Sequence, residues 1–317
     1  MVLALCYRKD ANVSKIMVSS RFSGSDCYWN AYMSNARNDR VRTVAVLLVV
    51  LVTRLLPGCT ANRAPRCGSI HEAAYAGDTL AVRRFLSKGV SVDARAGDNG
   101  LTPLQMAALN GQENVARLLM SHGARADIFV ASGIGDLASV RSMVKGGAEI
   151  NASLISLGTP LVWAARSGHL QVVRFLIEEG AKLGPGSRRP LTSALHEATL
   201  NGHVTVVGYL LTKGASVDIR NKHGETPLHL AAMRNRSPVA AVLLSSGAQV
   251  DAKDDAGYTP LHWAVLAVND RRGIVRLLLQ SGADPNAKAQ NGRSPLSEAI
   301  RLGRKDLAEI MRFPQSK

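Results

Sequence analysis

Four histidines stand in matching surroundings along the chain, His71, His196, His229 and His262. An imidazole can bind a metal or move a proton near neutral pH, but either task needs partner groups within a few ångströms. His196, His229 and His262 are 33 residues apart and His71 is far upstream, so no two share a local segment. The cysteines are Cys6, Cys27, Cys59 and Cys67, with none in the 250 residues that follow. That distribution excludes a disulfide scaffold and a zinc site of paired CxxC type. No strand, glycine loop and helix with a following lysine is present, so phosphate binding has no support. No Ser/His/Asp or Cys/His arrangement stands out, and no cofactor or metal is implied.

The histidines belong instead to a recurring string. Thr226-Pro227-Leu228-His229-Leu230-Ala231-Ala232 returns as Thr259-Pro260-Leu261-His262-Trp263-Ala264, as Thr102-Pro103-Leu104-Gln105-Met106-Ala107-Ala108, and as Thr159-Pro160-Leu161-Val162-Trp163-Ala164-Ala165. Weaker copies are Ser193-Ala194-Leu195-His196-Glu197-Ala198, Ser294-Pro295-Leu296-Ser297-Glu298-Ala299 and the opening Ile70-His71-Glu72-Ala73-Ala74. Counted from the Thr position, with a Gly nine residues later as the second marker, units begin at 68, 102, 126, 159, 193, 226, 259 and 294. Each closes with a segment such as Gly214-Ala215-Ser216-Val217-Asp218.

Thr at the N-cap can accept a backbone N–H, and Pro at the first helical position gives up a donor that had no partner. The Ala pair keeps the first helix slim enough for close stacking, and Gly ends each helix in a left-handed conformation. Residues 68–317 resemble the ankyrin-repeat family. The resemblance implies an all-α solenoid of about eight stacked helix-turn-helix units with β-turn fingers, and it implies that each histidine bonds back toward its Thr cap. Departures from the pattern are expected to be local. The third unit lacks Thr-Pro and is short, so its finger is reduced; the stretch from Gly184 to Pro190 makes another finger irregular; and an insertion falls around 267–270. The last unit has a polar second helix with Arg304, Lys305, Asp306, Glu309 and Arg312, as a solvent-facing cap requires.

Residues 1–67 stand apart. Thr43 to Thr53 is uncharged and almost wholly apolar, preceded by Arg37, Arg40 and Arg42 and followed by Leu56-Pro57-Gly58-Cys59. The run is short for a membrane span, which needs about 20 residues, and suits the apolar region of a signal peptide. The tetrapeptide resembles a bacterial lipoprotein box, with Pro57 where a small residue is usual. The resemblance implies lipidation of Cys59. Counted from Met33, such a signal has ordinary proportions. The expected organisation is therefore an upstream or disordered segment over 1–32, a signal peptide or short membrane anchor over 33–58, a tether over 59–67, and the repeats over 68–317.

The formal charge is +15, from 39 Lys and Arg against 24 Asp and Glu. Residues 1–59 hold eight of the basic and three of the acidic side chains, and no basic run is interleaved with aromatics, which argues against nucleic acid as a partner. By the family resemblance, a concave groove is lined by Tyr75, Met106, Leu109, Trp163, Arg166, Glu197, Leu200, Met233, Arg234, Trp263 and Leu266. The two tryptophans either anchor a partner there or pack between neighbouring helices. The expected function is to hold another protein, as a monomer, from an anchor in a bacterial cell envelope with the repeats facing the periplasm or exterior. An unanchored cytoplasmic or secreted adaptor is the alternative. An enzyme with its site in the 181–192 finger, or a nucleic-acid binder with steeply salt-dependent affinity, would be different classes of protein.

Overall fold

In the computed structural model the described residues are 4–7, 16–19, 68–95, 100–154, 157–184, 193–267 and 271–312. The chain divides into two units, Met1–Gly68 and Ser69–Lys317. The apolar stretch, Cys59 and the tether lie outside the described residues. Within residues 1–32, two short segments are described. The strands β1 (Ala4–Tyr7) and β2 (Ile16–Ser19) run antiparallel, Ala4 opposite Ser19 and Tyr7 opposite Ile16. Apolar and β-branched residues such as Ile16 and Val18 favour extended backbone. Among the described residues no helix is long and apolar enough to cross a membrane.

The second unit is built from pairs of short helices. They are α1 (Ile70–Ala76) with α2 (Thr79–Ser87), α3 (Pro103–Leu109) with α4 (Glu113–Ser121), α5 (Ile128–Gly133) with α6 (Leu137–Lys145), and α7 (Pro160–Ser167) with α8 (Leu170–Glu178). There follow α9 (Ala194–Asn201) with α10 (Val204–Thr212), α11 (Pro227–Arg234) with α12 (Ser237–Ser245), α13 (Pro260–Leu266) with α14 (Arg272–Gln280), and α15 (Pro295–Arg301) with α16 (Lys305–Arg312). Each first helix packs against the first helix of the next pair. Leu104, Leu161, Leu195, Leu228 and Leu261, one residue after the Pro position, are all fully buried in this row. Each stabilises the stack by roughly 1.5–3 kcal/mol relative to an exposed side chain. Val82, Val140, Val172, Val206, Val239 and Ile274 do the same for the second helices.

Helix starts follow the available capping side chains. Thr102 and Ser193 accept from the backbone N–H three residues on, at 3.2 and 3.3 Å. In the first and third units the expected start positions, 68 and 126, are Gly and Ala, which offer no acceptor. There the cap moves one residue on, to Ser69 (Glu72 N–H, 3.1 Å) and Asp127 (Val130 N–H, 2.8 Å). Gly168 ends α7 with φ 80°, and a Cβ there would collide with the His203 ring, so only glycine fits.

The expected reduction of the third unit is confirmed and is more severe than a shortened turn. Only residues 122–126 separate α4 from the cap of α5, which leaves no finger between the second and third units. Between later units the fingers join edge to edge: the Asp255 N–H donates to His223 O and the Gln290 N–H to Ala256 O, both at 3.1 Å. The last unit caps the array as expected, with Leu307, Ala308 and Met311 buried and Lys305, Asp306, Glu309 and Arg312 exposed. The irregular finger from Gly184 onward and most of the 267–270 insertion lie outside the described residues.

Candidate functional site

The histidines are built into the helix starts. In the sixth unit the Thr226 N–H donates to Nδ1 of His229 at 3.0 Å, and Nε2 reaches the Tyr258 carbonyl, immediately before the next cap, at 3.0 Å. His262 repeats this with Thr259 and the Arg293 carbonyl, and His196 with Ser193 and the Glu225 carbonyl. Nδ1 accepts and Nε2 donates, so each ring must be neutral. Burial, the first cause in each case, pushes His229 and His262 below the usual imidazole value and His196 down to about 4. These are structural histidines bonding back to their caps, as the resemblance implied. His71 departs from the set, bonding the Ala94 carbonyl at 2.8 Å while Ser69 caps its helix.

Sequence reading missed a second ladder. The residue immediately ahead of each second helix is Asp78, Gln112 and Asp136 in the first three units, then His169 and His203, then Arg236, Arg271 and Arg304. The aspartates cap their own helices; the Ser139 hydroxyl and N–H hold the Asp136 carboxyl below its ordinary value. Three of the others reach backward. His169 bonds the Gly133 carbonyl at 3.0 Å, His203 the Arg166 carbonyl at 2.9 Å, and Nε of Arg236 the Leu200 carbonyl at 3.2 Å. Each thus satisfies the carbonyl end of the preceding first helix, where a donor or cation is favoured. Arg271 is 6% exposed, and among the described residues its Nε and Nη1 are buried without an acceptor. Burial lowers its pKa, and the nearby charges of Arg304 and Arg234 add to the shift.

The expected groove residues divide. Trp163 is 1% exposed and belongs to the core, which corrects its assignment to the groove. The third unit has Gly133 where other first helices carry a large side chain, such as Leu109 or Met233, and α3 and α7 touch across it. The Trp163 ring fills that space: a Cβ on Gly133 would lie 3.2 Å from Cε3 and 3.3 Å from Ala108 O. Phe129 flanks the indole, ring centres 5.8 Å apart. Leu109, 7% exposed, is also core, and Glu197, 3% exposed, is buried beneath an ion pair with Arg166 at 2.9 Å. Tyr75 is 49% exposed, Arg234 is exposed, and Met106, Arg166, Leu200, Met233, Trp263 and Leu266 are half-buried. Trp263 is steered by its Nε1, which donates to Asp254 at 3.0 Å, and by the edge of Tyr258. Glu298, at the position of Trp263 in the last unit, is buried between Arg293 (3.1 Å) and Arg301 (2.6 Å). Of the side chains left accessible, Tyr75, Met106 and Arg166 stand singly on α1, α3 and α7, while Leu200, Met233, Arg234, Trp263 and Leu266 follow one another on α9, α11 and α13.

Family models for ankyrin repeats match residues 70–120, 128–221 and 195–289. The chain belongs to the ankyrin-repeat family. The crystal structure of the human ASB11 ankyrin repeat domain is similar, with TM-score 0.50 and 27% identity over 80% of this chain and 99% of that one. Among curated proteins, "Ankyrin repeat, SAM and basic leucine zipper domain-containing protein 1" of Dasypus novemcinctus is 31% identical over 144 residues, 41% of this chain and 29% of that protein. Palmitoyltransferase ZDHHC17 of Danio rerio is 33% identical over 169 residues, 50% of this chain and 27% of that protein. The matched stretch thus spans less than a third of either relative. Ankyrin repeats mediate protein–protein contact, which fits a face of apolar and cationic side chains on a stacked, rigid row of helices.

Proposed function

We propose that this ankyrin array is a protein-binding module whose partner lies on the first-helix face of the sixth to eighth units. The observation that carries this reading is the group Met233, Trp263 and Leu266, half-buried on α11 and α13 beside the exposed Arg234. An aromatic ring held by a hydrogen bond, with aliphatic neighbours and a cation, has the composition of an interface hot spot. Binding rather than catalysis is the reading that these groups support. A photo-crosslinking residue placed at position 263 of the full chain should capture a defined protein partner in cells, and the same probe at Arg83 should not. Equal capture at both positions would remove the reading.

The leader supports a further placement. Cys59, after Leu56-Pro57-Gly58 and the apolar run from Thr43 to Thr53, is the proposed lipid attachment point, holding the repeats at the surface of a bacterial envelope membrane. A multiply acylated cysteine would keep the array there, whereas a single chain holds a protein only marginally. Intact-mass analysis of the membrane fraction should find a chain beginning at a modified Cys59. An unmodified chain in the soluble fraction would leave the unanchored adaptor.

A further inference from the structure

The first helices of the sixth to eighth units carry one acid among them, Glu298. It is 1% exposed and shared by Arg293 and Arg301, so that group keeps one surplus positive charge. Arg234 is exposed at the end of α11. Along the adjoining turn edge stand Arg236, Arg271 and Arg304, where the first three units have Asp78, Gln112 and Asp136. Arg234 and Arg304 lie close enough for their charges to act on Arg271, which has no acceptor for two of its nitrogens. Like charges held together cost free energy that an incoming anion would relieve. The cationic edge runs beside Met233, Trp263 and Leu266.

We propose, resting on the protein-binding reading above, that the partner's segment on these units is acidic. It seats an aliphatic or aromatic side chain against Met233, Trp263 and Leu266, and sets carboxylates against the exposed Arg234 and the half-buried Arg236 and Arg304, above the buried charge of Arg271. Guanidinium forks match carboxylates in pairs of parallel hydrogen bonds. A protein segment fits better than a nucleic acid. Trp263 already donates to the buried carboxylate of Asp254 and packs against the edge of Tyr258, and no row of further aromatics is present on α11, α13 and α15 for bases to stack on.

The test is a random peptide library selected on the full chain, followed by titration of the enriched peptides, labelled for fluorescence anisotropy. Comparison variants are Arg234→Glu, Met233→Ala and, as a charge control, the double variant Arg83→Glu/Arg84→Glu on α2. Thermal melts confirm that each variant is folded. Enriched peptides should be rich in Asp and Glu around Leu, Phe or Trp. They should bind Arg234→Glu about tenfold or more weakly, with the α2 variant little changed and binding weakened by salt. Neutral or basic peptides that still lose binding in Met233→Ala would overturn the acidic assignment and leave the protein-binding face standing. Acidic peptides indifferent to Arg234→Glu, or equally weakened by the α2 variant, would overturn it as well. A single-stranded oligonucleotide that displaces the peptides and binds more tightly would also overturn it. A selection that returns no peptide would count against both readings.

Discussion

The first four units and the last four join their neighbours by different physics. In the fifth to seventh units, His196, His229 and His262 link each cap to the backbone ahead of the next one. At that position the second, third and fourth units have Gln105, Phe129 and Val162. Gln105 reaches the Asp127 carboxylate at 2.8 Å, a contact possible because no finger intervenes. Phe129 packs on Trp163, and Val162 packs under Gly158, whose φ of 84° closes the tight turn from Leu154. The early half is held largely by fitted side chains and the late half by a hydrogen-bonded relay. Shape-fitting tolerates irregular spacing; a relay with fixed reach demands regular units, and the fingers from the fifth unit onward are regular.

Trp163→Ala should break the early half most. It empties a fully enclosed indole site and should cost about 3–5 kcal/mol of folding stability by urea titration. Trp263→Ala, at a half-buried site, should cost clearly less and act mainly on partner affinity. If the two losses came out equal, the division between core and groove tryptophans would be wrong.

Acid should act on the late half. The folded-state pKa of His196, about 4, lies below its unfolded value near 6.5, so the unfolded chain binds more protons between them. Stability is therefore fully present above pH 6.5 and falls as pH drops towards 4, by on the order of 3 kcal/mol for this residue at full effect. His229 and His262 shift in the same direction and steepen the loss, while His169, in the fourth unit, is the one early-half imidazole among the described residues with a shift of that sign. Hydrogen exchange at pH 5 should show α9 to α14 opening before α3 and α4; the reverse order would sink the distinction.

Gly133→Ala presses a methyl group onto Trp163 and Ala108, and should cost about 1–3 kcal/mol by overpacking. The smallest effects belong to the turn edge. Arg236→Ala loses its bond to the Leu200 carbonyl, worth about 1 kcal/mol. Arg271→Leu should leave the melting temperature unchanged or raise it slightly, because it removes a buried cation two of whose nitrogens have no acceptor among the described residues. A large loss there would show that Arg271 serves folding as Arg236 does.

Much of this was legible because its causes are local. Thr-Pro starts, Gly ends and the histidine position are each decided within ten residues, so the helices fell where the strings placed them. The displaced caps at Ser69 and Asp127 were readable too, since Gly68 and Ala126 offer no acceptor. The position of Trp163 was not: an indole on a first helix reads as groove until Gly133, thirty residues earlier, is known to leave it a hole. The arginine ladder escaped notice because its members differ in type and share only their place ahead of a second helix.

The histidine relay also has a direction. Each ring in the late half donates to a carbonyl made later in synthesis, about thirty residues downstream. As the chain leaves the ribosome, the newest finished unit there holds an imidazole N–H with no acceptor until its successor emerges. In the eighth unit Ser297 stands at the histidine position. Its hydroxyl bonds the Ser294 N–H and carbonyl at 2.8 and 2.9 Å and requires nothing further along the chain. The eighth unit thus has a helix start that closes on itself, whereas each histidine start stays open until the chain beyond it has folded.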